Sequence, residues 1–189
     1  LVEAGYRTYG LDRDPEMLSF LKKITPAGLR SRVNIFQGDL CAYYLAARFS
    51  LILLPCNTYS TLLKNQRAQA LQQVRLHLQP SGIFAVSMPN PALLESLPRQ
   101  SDPEIEDVFP HPQDGEPVQV SSSWKRTRQQ VAFTWHYDHL LPDGKVDRTT
   151  QQVIHYITLI ETITGEFNAA GLEITGLYGD FDNSPYTIE

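Results

Sequence analysis

The sequence predicts an α/β fold: a doubly wound, mostly parallel sheet with an inserted antiparallel meander. Over residues 1–90, apolar runs of strand length alternate with segments whose apolar residues recur at helical spacing, as in folds with a parallel sheet. Over 118–157, alternating runs follow each other directly, and "LPDGK" joins two of them with the Asp-Gly pair typical of a hairpin turn. A chain of 189 residues can form one substantial core, so we expect a single domain over 1–189.

Four strands are predicted in the first half of the chain. "YRTYGLD" at 6–12 ends at an aspartate, and "RVNIFQGD" at 32–39 ends in a Gly-Asp turn. "FSLILLPCN" at 49–57 is apolar without alternation, which is typical of a strand buried on both faces. "GIFAVSMP" at 82–89 is the fourth. Ligands of such sheets bind beyond the carboxyl ends of the strands, so we expect the polar strand ends to line one pocket.

Two helices are predicted between these strands. Pro15 opens the first, because the first turn of a helix tolerates a missing N–H. Its apolar stripe consists of Met17, Leu18, Leu21 and Ile24. The second helix ends at "QPSG", where Pro80 and Gly82 stop it. Its apolar positions are Leu63, Ala70, Leu71, Val74 and Leu78.

The second half opens with a proline-rich segment, 89–117, which is too polar and too punctuated for core and is interpreted as a loop or partial lid. The antiparallel meander follows over 118–157. Thr158 and Glu161 then resemble a capping box at the start of a third helix, which Gly171 would end. "LEITGLYGDFD" is predicted to be a closing strand.

Charge and cysteine content exclude several classes of partner. The net charge of −5, from 16 Lys and Arg against 21 Asp and Glu, provides no net positive field for nucleic acid or anionic lipid. No apolar run approaches the roughly 18 residues that span a bilayer. Cys41 and Cys56 show neither disulfide nor metal-binding spacing, which favours reduced thiols. The sequence therefore predicts a cytoplasmic protein without a nucleic-acid or membrane partner.

Five segments occur along the chain in a defined order: "EAGYRTYGLDRDPEMLSFLKK", "VNIFQGDL", "FSLILLPCNTYSTL", "VRLHLQPSGIFAVSMPNP" and "FNAAGLEITGLYGDFD". Together they resemble the class I S-adenosylmethionine-dependent methyltransferases. The resemblance covers nearly the whole chain, and the antiparallel insertion is similar to that of members acting on small molecules. It implies a Rossmann-like sheet, S-adenosylmethionine as cofactor and methyl transfer to a nitrogen or oxygen of a small-molecule acceptor. It also allows a homodimer.

One part of the family pattern lies outside the sequence. The family's first strand, its glycine-rich loop and most of its first helix would precede Leu1, since "LVEAG" resembles a last helical turn closed by Gly5. The ribose-binding acid follows such glycines by roughly 20 residues, whereas only 11 residues precede Asp12. The N–H groups of that loop normally hold the cofactor's tail. We therefore expect weak or absent cofactor binding by these 189 residues alone.

The resemblance assigns five positions to the nucleoside of the cofactor. Asp12 would accept two hydrogen bonds from the ribose diol; the alternative is a carboxylate that favours a helix N-terminus, a role that Asp14 could equally fill. Arg13 lies beside it, and Met17 would pack either on the adenine ring or in the core. Asp39 would accept a bond from the adenine amino group, while the Leu40 N–H would bond a ring nitrogen. An aspartate in a Gly-Asp turn is otherwise ordinary turn chemistry.

The segment after the third strand is assigned to the methionine moiety and the acceptor. Pro55 and Cys56 would line the cofactor, and Asn57 and Tyr59 would face the substrate. The alternative is that Asn57 is a turn residue and Tyr59 a surface aromatic. Methyl transfer needs mainly proximity and a deprotonated nucleophile, because the sulfonium already activates its methyl group.

A histidine is the acid–base candidate of the meander. His136 and Asp138 lie on the same face of the strand "FTWHYDH" at 133–139. His139 points to the opposite face, so the two histidines cannot share a metal ion, and no metal site is predicted.

Two alternatives of other classes stay open. Nicotinamide-dependent oxidoreductases also carry an acidic residue after the second strand of a Rossmann sheet, although "QGDL" followed by "LQPSGIF" favours the methyltransferase pattern. A methyltransferase-like sheet could also be a non-catalytic interaction module. Binding of S-adenosylmethionine, of NAD or of neither would discriminate among the three.

Overall fold

The computed structural model describes residues 1–187, and contacts divide the chain into two compact units. Unit 1 comprises Leu1–Ile52 and Lys64–Phe84, and unit 2 comprises Leu53–Leu63 and Ala85–Glu189. The sequence predicted one domain. Two units defined by contacts do not by themselves make two domains, so the single domain stays a prediction.

The first half of the chain alternates strands and helices, as the sequence predicts. The elements are β1 (Thr8–Asp12), α1 (Pro15–Ile24), β2 (Val33–Gln37), β3 (Phe49–Leu54), α2 (Lys64–His77) and β4 (Leu78–Val86). Short 3-10 helices cover Ala27–Arg32 and Thr58–Thr61. The strands form two small sheets, β1 with β2 and β3 with β4, in place of the single doubly wound sheet that was expected.

β1 and β2 run parallel in unit 1. Their register runs from Thr8 opposite Val33 to Asp12 opposite Gln37, so both strands end at the same edge. The Gly38 N–H continues the pairing with a 3.0 Å bond to the Asp12 carbonyl. This parallel pair therefore places the residues that follow β1 and β2 side by side.

α1 begins as predicted but is not a core helix. Asp14 is its N-cap and accepts the Glu16 N–H at 2.8 Å, and Pro15 occupies the first turn. None of its residues is buried, and Met17 is 56% exposed. The helix packs mainly against β1 and β2, two five-residue strands that cannot cover its whole apolar stripe.

β3 and β4 differ from their predicted bounds and burial. Leu51 and Leu53 on β3 are 44% and 46% exposed, so the expected burial on both faces is wrong. β4 begins at Leu78 and includes Gly82, which was interpreted as a helix stop. A Cβ at Gly82 would lie 2.9 Å from the Phe49 carbonyl oxygen. The glycine therefore permits close approach of the two strands, a role that its sequence context does not reveal.

A four-stranded antiparallel sheet occupies unit 2. Its strands are β5 (Glu104–Pro110), β6 (Pro117–Arg126), β7 (Gln130–Leu140) and β8 (Val146–Tyr156), paired in chain order. Gly144, at φ +81°, forms the turn of "LPDGK" between β7 and β8. The segment expected to be a loop, 89–117, contains α3 (Pro91–Ser96) and β5. β5 escaped prediction because it is an edge strand with every residue exposed, so it lacks alternation.

The last described elements differ from two local predictions. α4 (Ile160–Ala169) has Leu159 at its N-cap without a side-chain capping bond, so the capping box at Thr158 and Glu161 is wrong. Gly171, at φ +73°, ends the helix as expected, and its N–H donates to the Asn168 carbonyl at 3.0 Å. Residues 172–187 contain only an isolated bridge where a closing strand was predicted. Across the described part of the chain, no helix has the length and apolar character needed to cross a membrane.

Candidate functional site

Asp12 is the last residue of β1 and is held in place by the backbone that follows it. Its Oδ1 accepts the Asp14 N–H at 2.9 Å, and its side chain is half-buried. The capping bond of Asp14 starts α1 directly afterwards, so the turn from strand to helix is short and fixed. Within residues 1–187 the structure gives Oδ2 of Asp12 no partner, which leaves that oxygen available to a ligand hydroxyl.

Asp39 and Leu40 follow β2 at the same edge. Asp39 Oδ1 accepts the Cys41 N–H at 2.7 Å. Each of the two carboxylates, Asp12 and Asp39, is thus fixed by a backbone N–H two residues further along the chain. A Cβ at Gly38 would lie 2.8 Å from Leu11 Cδ1, so a larger residue in this turn would require the Leu11 side chain to shift. Unit 1 therefore brings Asp12, Asp39 and Leu40 to one edge of a parallel strand pair.

Arg13 and Met17 lie on the solvent side of this edge. Arg13 is exposed, and its carbonyl accepts the Gln37 Nε2–H at 3.0 Å across from β2. The exposure of Met17 excludes the core interpretation of this residue within the described structure. Its thioether is accessible to an apolar ligand.

The segment after β3 belongs to unit 2 and has an uncommon backbone. Cys56 and Asn57 both have φ of +59°, in the left-handed region that non-glycine residues rarely adopt. The Asn57 N–H donates to Ser87 Oγ at 3.5 Å, and the Asn57 carbonyl accepts Ser60 Oγ–H at 2.7 Å. Pro55 and Cys56 are exposed. These bonds hold a strained turn, and residues in such backbone regions often cluster at ligand sites.

Tyr59 is buried in unit 2, with 1% of its surface exposed. Its hydroxyl donates to Glu166 Oε2 at 2.9 Å, and its ring packs edge-to-face on Phe167 at 5.7 Å. The surface-aromatic alternative is thus wrong. The structure gives Tyr59 a packing role that ties the segment after β3 to α4, and its contact with substrate stays a prediction.

His155 is a functional candidate that the sequence did not reveal. Its Nδ1 lies 2.8 Å from Ser60 Oγ, and Phe133 packs edge-to-face on its ring at 5.7 Å. Burial lowers the pKa of this imidazole, which favours its neutral form. The Ser60–His155 pair joins residues 95 positions apart, so no local motif could have indicated it.

His136 and Asp138 do not form the expected acid–base pair. Both oxygens of Asp138 accept hydrogen bonds from Arg148, each at 2.6 Å. His136 Nδ1 instead lies 2.9 Å from Thr150 Oγ1 on the exposed surface of the sheet. The Arg148 hydrogen bond, opposed by burial, lowers the pKa of Asp138, so this carboxylate is ionised and committed to the guanidinium. His155 contacts Ser60 in the segment after β3, so it becomes the histidine candidate for acid–base chemistry in place of His136.

The predicted site residues and the additional Ser60–His155 pair therefore fall into two groups, one in each unit. The first group is Asp12, Arg13, Met17, Asp39 and Leu40 at the edge of β1 and β2. The second is the turn after β3, Pro55 to Asn57, together with Ser60 and His155. Both groups include residues at or after the carboxyl ends of strands, where α/β folds bind ligands.

Comparison with known proteins finds the fold but no relative in sequence. No protein-family model and no curated protein matches the chain. An S-adenosylmethionine-dependent methyltransferase from Clostridium acetobutylicum superposes with a TM-score of 0.79 at 16% identity, covering 96% of this chain and 70% of its own.

Two further structures have the same fold. The CcbJ methyltransferase from Streptomyces caelestis gives a TM-score of 0.77 at 20% identity, over 99% of this chain and 72% of its own. CalS10 from Micromonospora echinaspora, an amino pentose methyltransferase solved with bound S-adenosylmethionine, gives 0.70 at 18% identity, over 93% and 70%. The chain thus has the Rossmann-like α/β fold of the S-adenosylmethionine-dependent methyltransferases.

Proposed function

We propose that this chain belongs to an S-adenosylmethionine-dependent methyltransferase that acts on a nitrogen or oxygen of a small molecule. The observation that carries the proposal is the pair of fixed carboxylates, Asp12 and Asp39, at the ends of two adjacent parallel strands. Similarity to solved methyltransferase structures supports the same conclusion.

Asp12 has the chemistry required for a ribose diol. Its Oδ1 is held by the Asp14 N–H, and Oδ2 can accept a hydroxyl from the sugar. Each hydrogen bond to a charged acceptor contributes about 1.5–3 kcal/mol. Because the side chain is already fixed, little rotamer entropy is lost on binding.

Asp39 and Leu40 supply the groups that distinguish adenine. The Asp39 carboxylate accepts from an exocyclic amino group, while the half-buried Leu40 offers a backbone N–H to a ring nitrogen. The exposed Met17 offers a polarizable thioether to the face of the ring. Together these groups can bind the adenosine part of S-adenosylmethionine, which supplies the activated methyl group when it binds.

The acceptor side is assigned to the turn after β3. Asn57 offers an amide, and the half-buried His155, with its lowered pKa, offers a neutral imidazole that can take a proton from an attacking amine or hydroxyl. Ser60 fixes the ring through Nδ1, so Nε2 is the nitrogen assigned to proton transfer. Solved relatives of this fold include an amino pentose methyltransferase and a sugar N-methyltransferase, which supports a small polar acceptor.

Calorimetric titration with S-adenosylhomocysteine tests the proposal. Asp12→Ala removes the ribose acceptor, and loss of one charge-assisted bond is expected to weaken binding about 10- to 150-fold. Asp14→Asn is the matched control, because asparagine caps a helix as well as aspartate and the cofactor assignment does not use Asp14. Ligand-detected NMR extends the measurement to weak binding, which the sequence predicts for these 189 residues.

The outcomes separate the three functions. Binding that Asp12→Ala abolishes and Asp14→Asn preserves supports the methyltransferase. Binding of NAD in place of S-adenosylhomocysteine supports the oxidoreductase. A folded chain that binds neither ligand by calorimetry or NMR is the outcome expected of a non-catalytic module, or of a methyltransferase sheet tested without its glycine-rich loop. Binding by these residues that Asp12→Ala leaves unchanged contradicts the ribose assignment.

A further inference from the structure

Two histidines and an aspartate converge at one end of the antiparallel sheet in unit 2. His111 and Asp114 lie in the turn between β5 and β6, and His139 lies near the end of β7. We call these three residues the His–Asp–His cluster. One ligand atom from each lies within 4.8 Å of the others.

The side chains of the cluster already face each other. His111 Nδ1 lies 3.0 Å from Asp114 Oδ1, and His139 Nε2 lies 3.2 Å from the same carboxylate. The two imidazoles stack with their centroids 4.1 Å apart. Both ring nitrogens therefore lie beside one carboxylate, close enough together for the three ligand atoms to contact one cation.

The backbone presets this arrangement. The His111 N–H donates to the Glu116 carbonyl at 2.7 Å. The N–H of Gly115, which has φ of +80°, donates to the His111 carbonyl at 2.8 Å. Asp114 Oδ1 also accepts the Glu116 N–H at 3.0 Å, which fixes the carboxylate inside the turn. The turn thereby holds the spacing of His111 and Asp114 without help from a bound ion.

Strand register supplies the third ligand. His139 pairs with Val118 on β6, next to the turn, so its side chain reaches the two turn residues. On its other side His139 pairs with Asp147 of β8, and directly opposite residues share a sheet face. Asp147 adds a second negative charge near the cluster.

We propose that the His–Asp–His cluster binds a divalent first-row transition ion such as Zn²⁺. Two imidazole nitrogens and one carboxylate are the ligand set that these ions take, whereas Mg²⁺ and Ca²⁺ prefer oxygen ligands alone. In the bound state His111 Nδ1 and His139 Nε2 offer lone pairs, and their N–H protons reside on the other ring nitrogens. The carboxylate neutralises one of the two ionic charges.

The exposure of the three side chains leaves room for further ligands. His111, Asp114 and His139 side chains are 27%, 44% and 16% exposed, so water can complete the coordination from the solvent side. An ion here joins the β5–β6 turn to β7, and we assign it a stabilising role. This role of an ion is independent of the proposed methyl transfer. The sequence predicted no metal site, because His111, Asp114 and His139 show no metal-binding spacing along the chain and meet only through strand register.

Calorimetric titration of the full chain with Zn²⁺ tests the proposal. We expect one ion per chain in the micromolar range, and about tenfold or greater loss of affinity in His139→Gln and Asp114→Asn. His136→Gln is the matched control, since it removes a histidine from the same strand but from the other face. Circular dichroism checks that each variant folds.

Cobalt absorption on the unmodified chain gives a second measurement that needs no variant. Nitrogen and oxygen ligation gives visible d–d bands without thiolate charge transfer, whereas binding by Cys41 or Cys56, both free thiols, adds a charge-transfer band. Stoichiometric binding without that band, lost in both cluster variants, supports the proposal. Thiolate charge transfer, affinity unchanged in both cluster variants, or no binding by the folded chain overturns it.

Discussion

Asp138 and Arg148 face each other across β7 and β8 and form a two-point ion pair. Arg148 Nε donates to Oδ1 and Nη2 to Oδ2, each at 2.6 Å, and Asp138 is buried whereas the guanidinium is about half exposed. The carboxylate is thus removed from water and satisfied by a planar group that matches its geometry.

This pair predicts a loss of stability in acid. The Arg148 hydrogen bond, opposed by burial, places the pKa of Asp138 below its ordinary value. The folded state therefore binds this proton less readily than the unfolded state, and the stabilisation is complete above about pH 5 and is lost as pH falls through the lowered pKa. Urea unfolding at a series of pH values from 7 to 2 measures the free energy of unfolding and shows this loss. The stability gap between the natural chain and Asp138→Asn should shrink below about pH 4. A gap that stays constant with pH would contradict the assignment.

Burial of His155 predicts a second pH effect, in a different range. Its lowered pKa means that the unfolded state takes up the proton first, so stability is present above about pH 6.5 and falls as pH drops towards the folded value. An NMR titration of the ring should give a midpoint below that of the same residue in urea. Equal midpoints would remove His155 as the neutral histidine of the proposed acceptor site.

The Tyr59 hydroxyl predicts a stability effect with little change in packing. Tyr59→Phe removes the bond to Glu166 but keeps the ring on Phe167, so we expect a loss of about 1–3 kcal/mol in the free energy of unfolding. Tyr44→Phe is the control, since Tyr44 is 85% exposed. Equal effects of the two substitutions on urea midpoints would show that the buried bond contributes nothing specific.

The left-handed backbone of Asn57 predicts an unusual order of substitutions. Asn57→Gly should leave stability nearly unchanged, because glycine adopts positive φ without steric cost, whereas Asn57→Val should cost about 1–3 kcal/mol. The midpoints of thermal unfolding of the two variants measure this difference in stability. Loss of activity in Asn57→Gly with stability retained would assign the side chain, and not the turn, to the acceptor. If valine is tolerated as well as glycine, the turn is not strained.

Local signals explain which parts of the fold were predictable. Pro15 and Gly171 mark helix ends through properties of single residues, and both ends were found. Asp12 ends β1 and Asp39 follows β2, and the hydrophobic pattern of both strands is visible in the sequence, so their shared edge was predictable as well. β5 was missed because an exposed edge strand is held by backbone pairing and needs no alternation of side chains.

Contacts between distant residues explain the rest. Ser60 contacts His155 because β8 lies beside the turn that follows β3, and His111 contacts His139 only through strand register. Gly82 shows a related limit, since a glycine that stops a helix and one that permits strand approach look alike in sequence. Sequence reasoning therefore placed carboxylates in unit 1 better than histidines in unit 2.

The exposed apolar stripe of α1 has a consequence for the heat capacity of unfolding. Met17, Phe20 and Ile24 are each 56% exposed, and Leu51 and Leu53 of β3 are nearly half exposed. Apolar surface that is already hydrated in the folded state adds nothing when the chain unfolds. Calorimetry should therefore give a heat-capacity change below the roughly 2.3–2.8 kcal/mol/K typical of this length. The curve of unfolding free energy against temperature would then be flatter, and stability would decline more slowly on either side of the temperature of maximum stability.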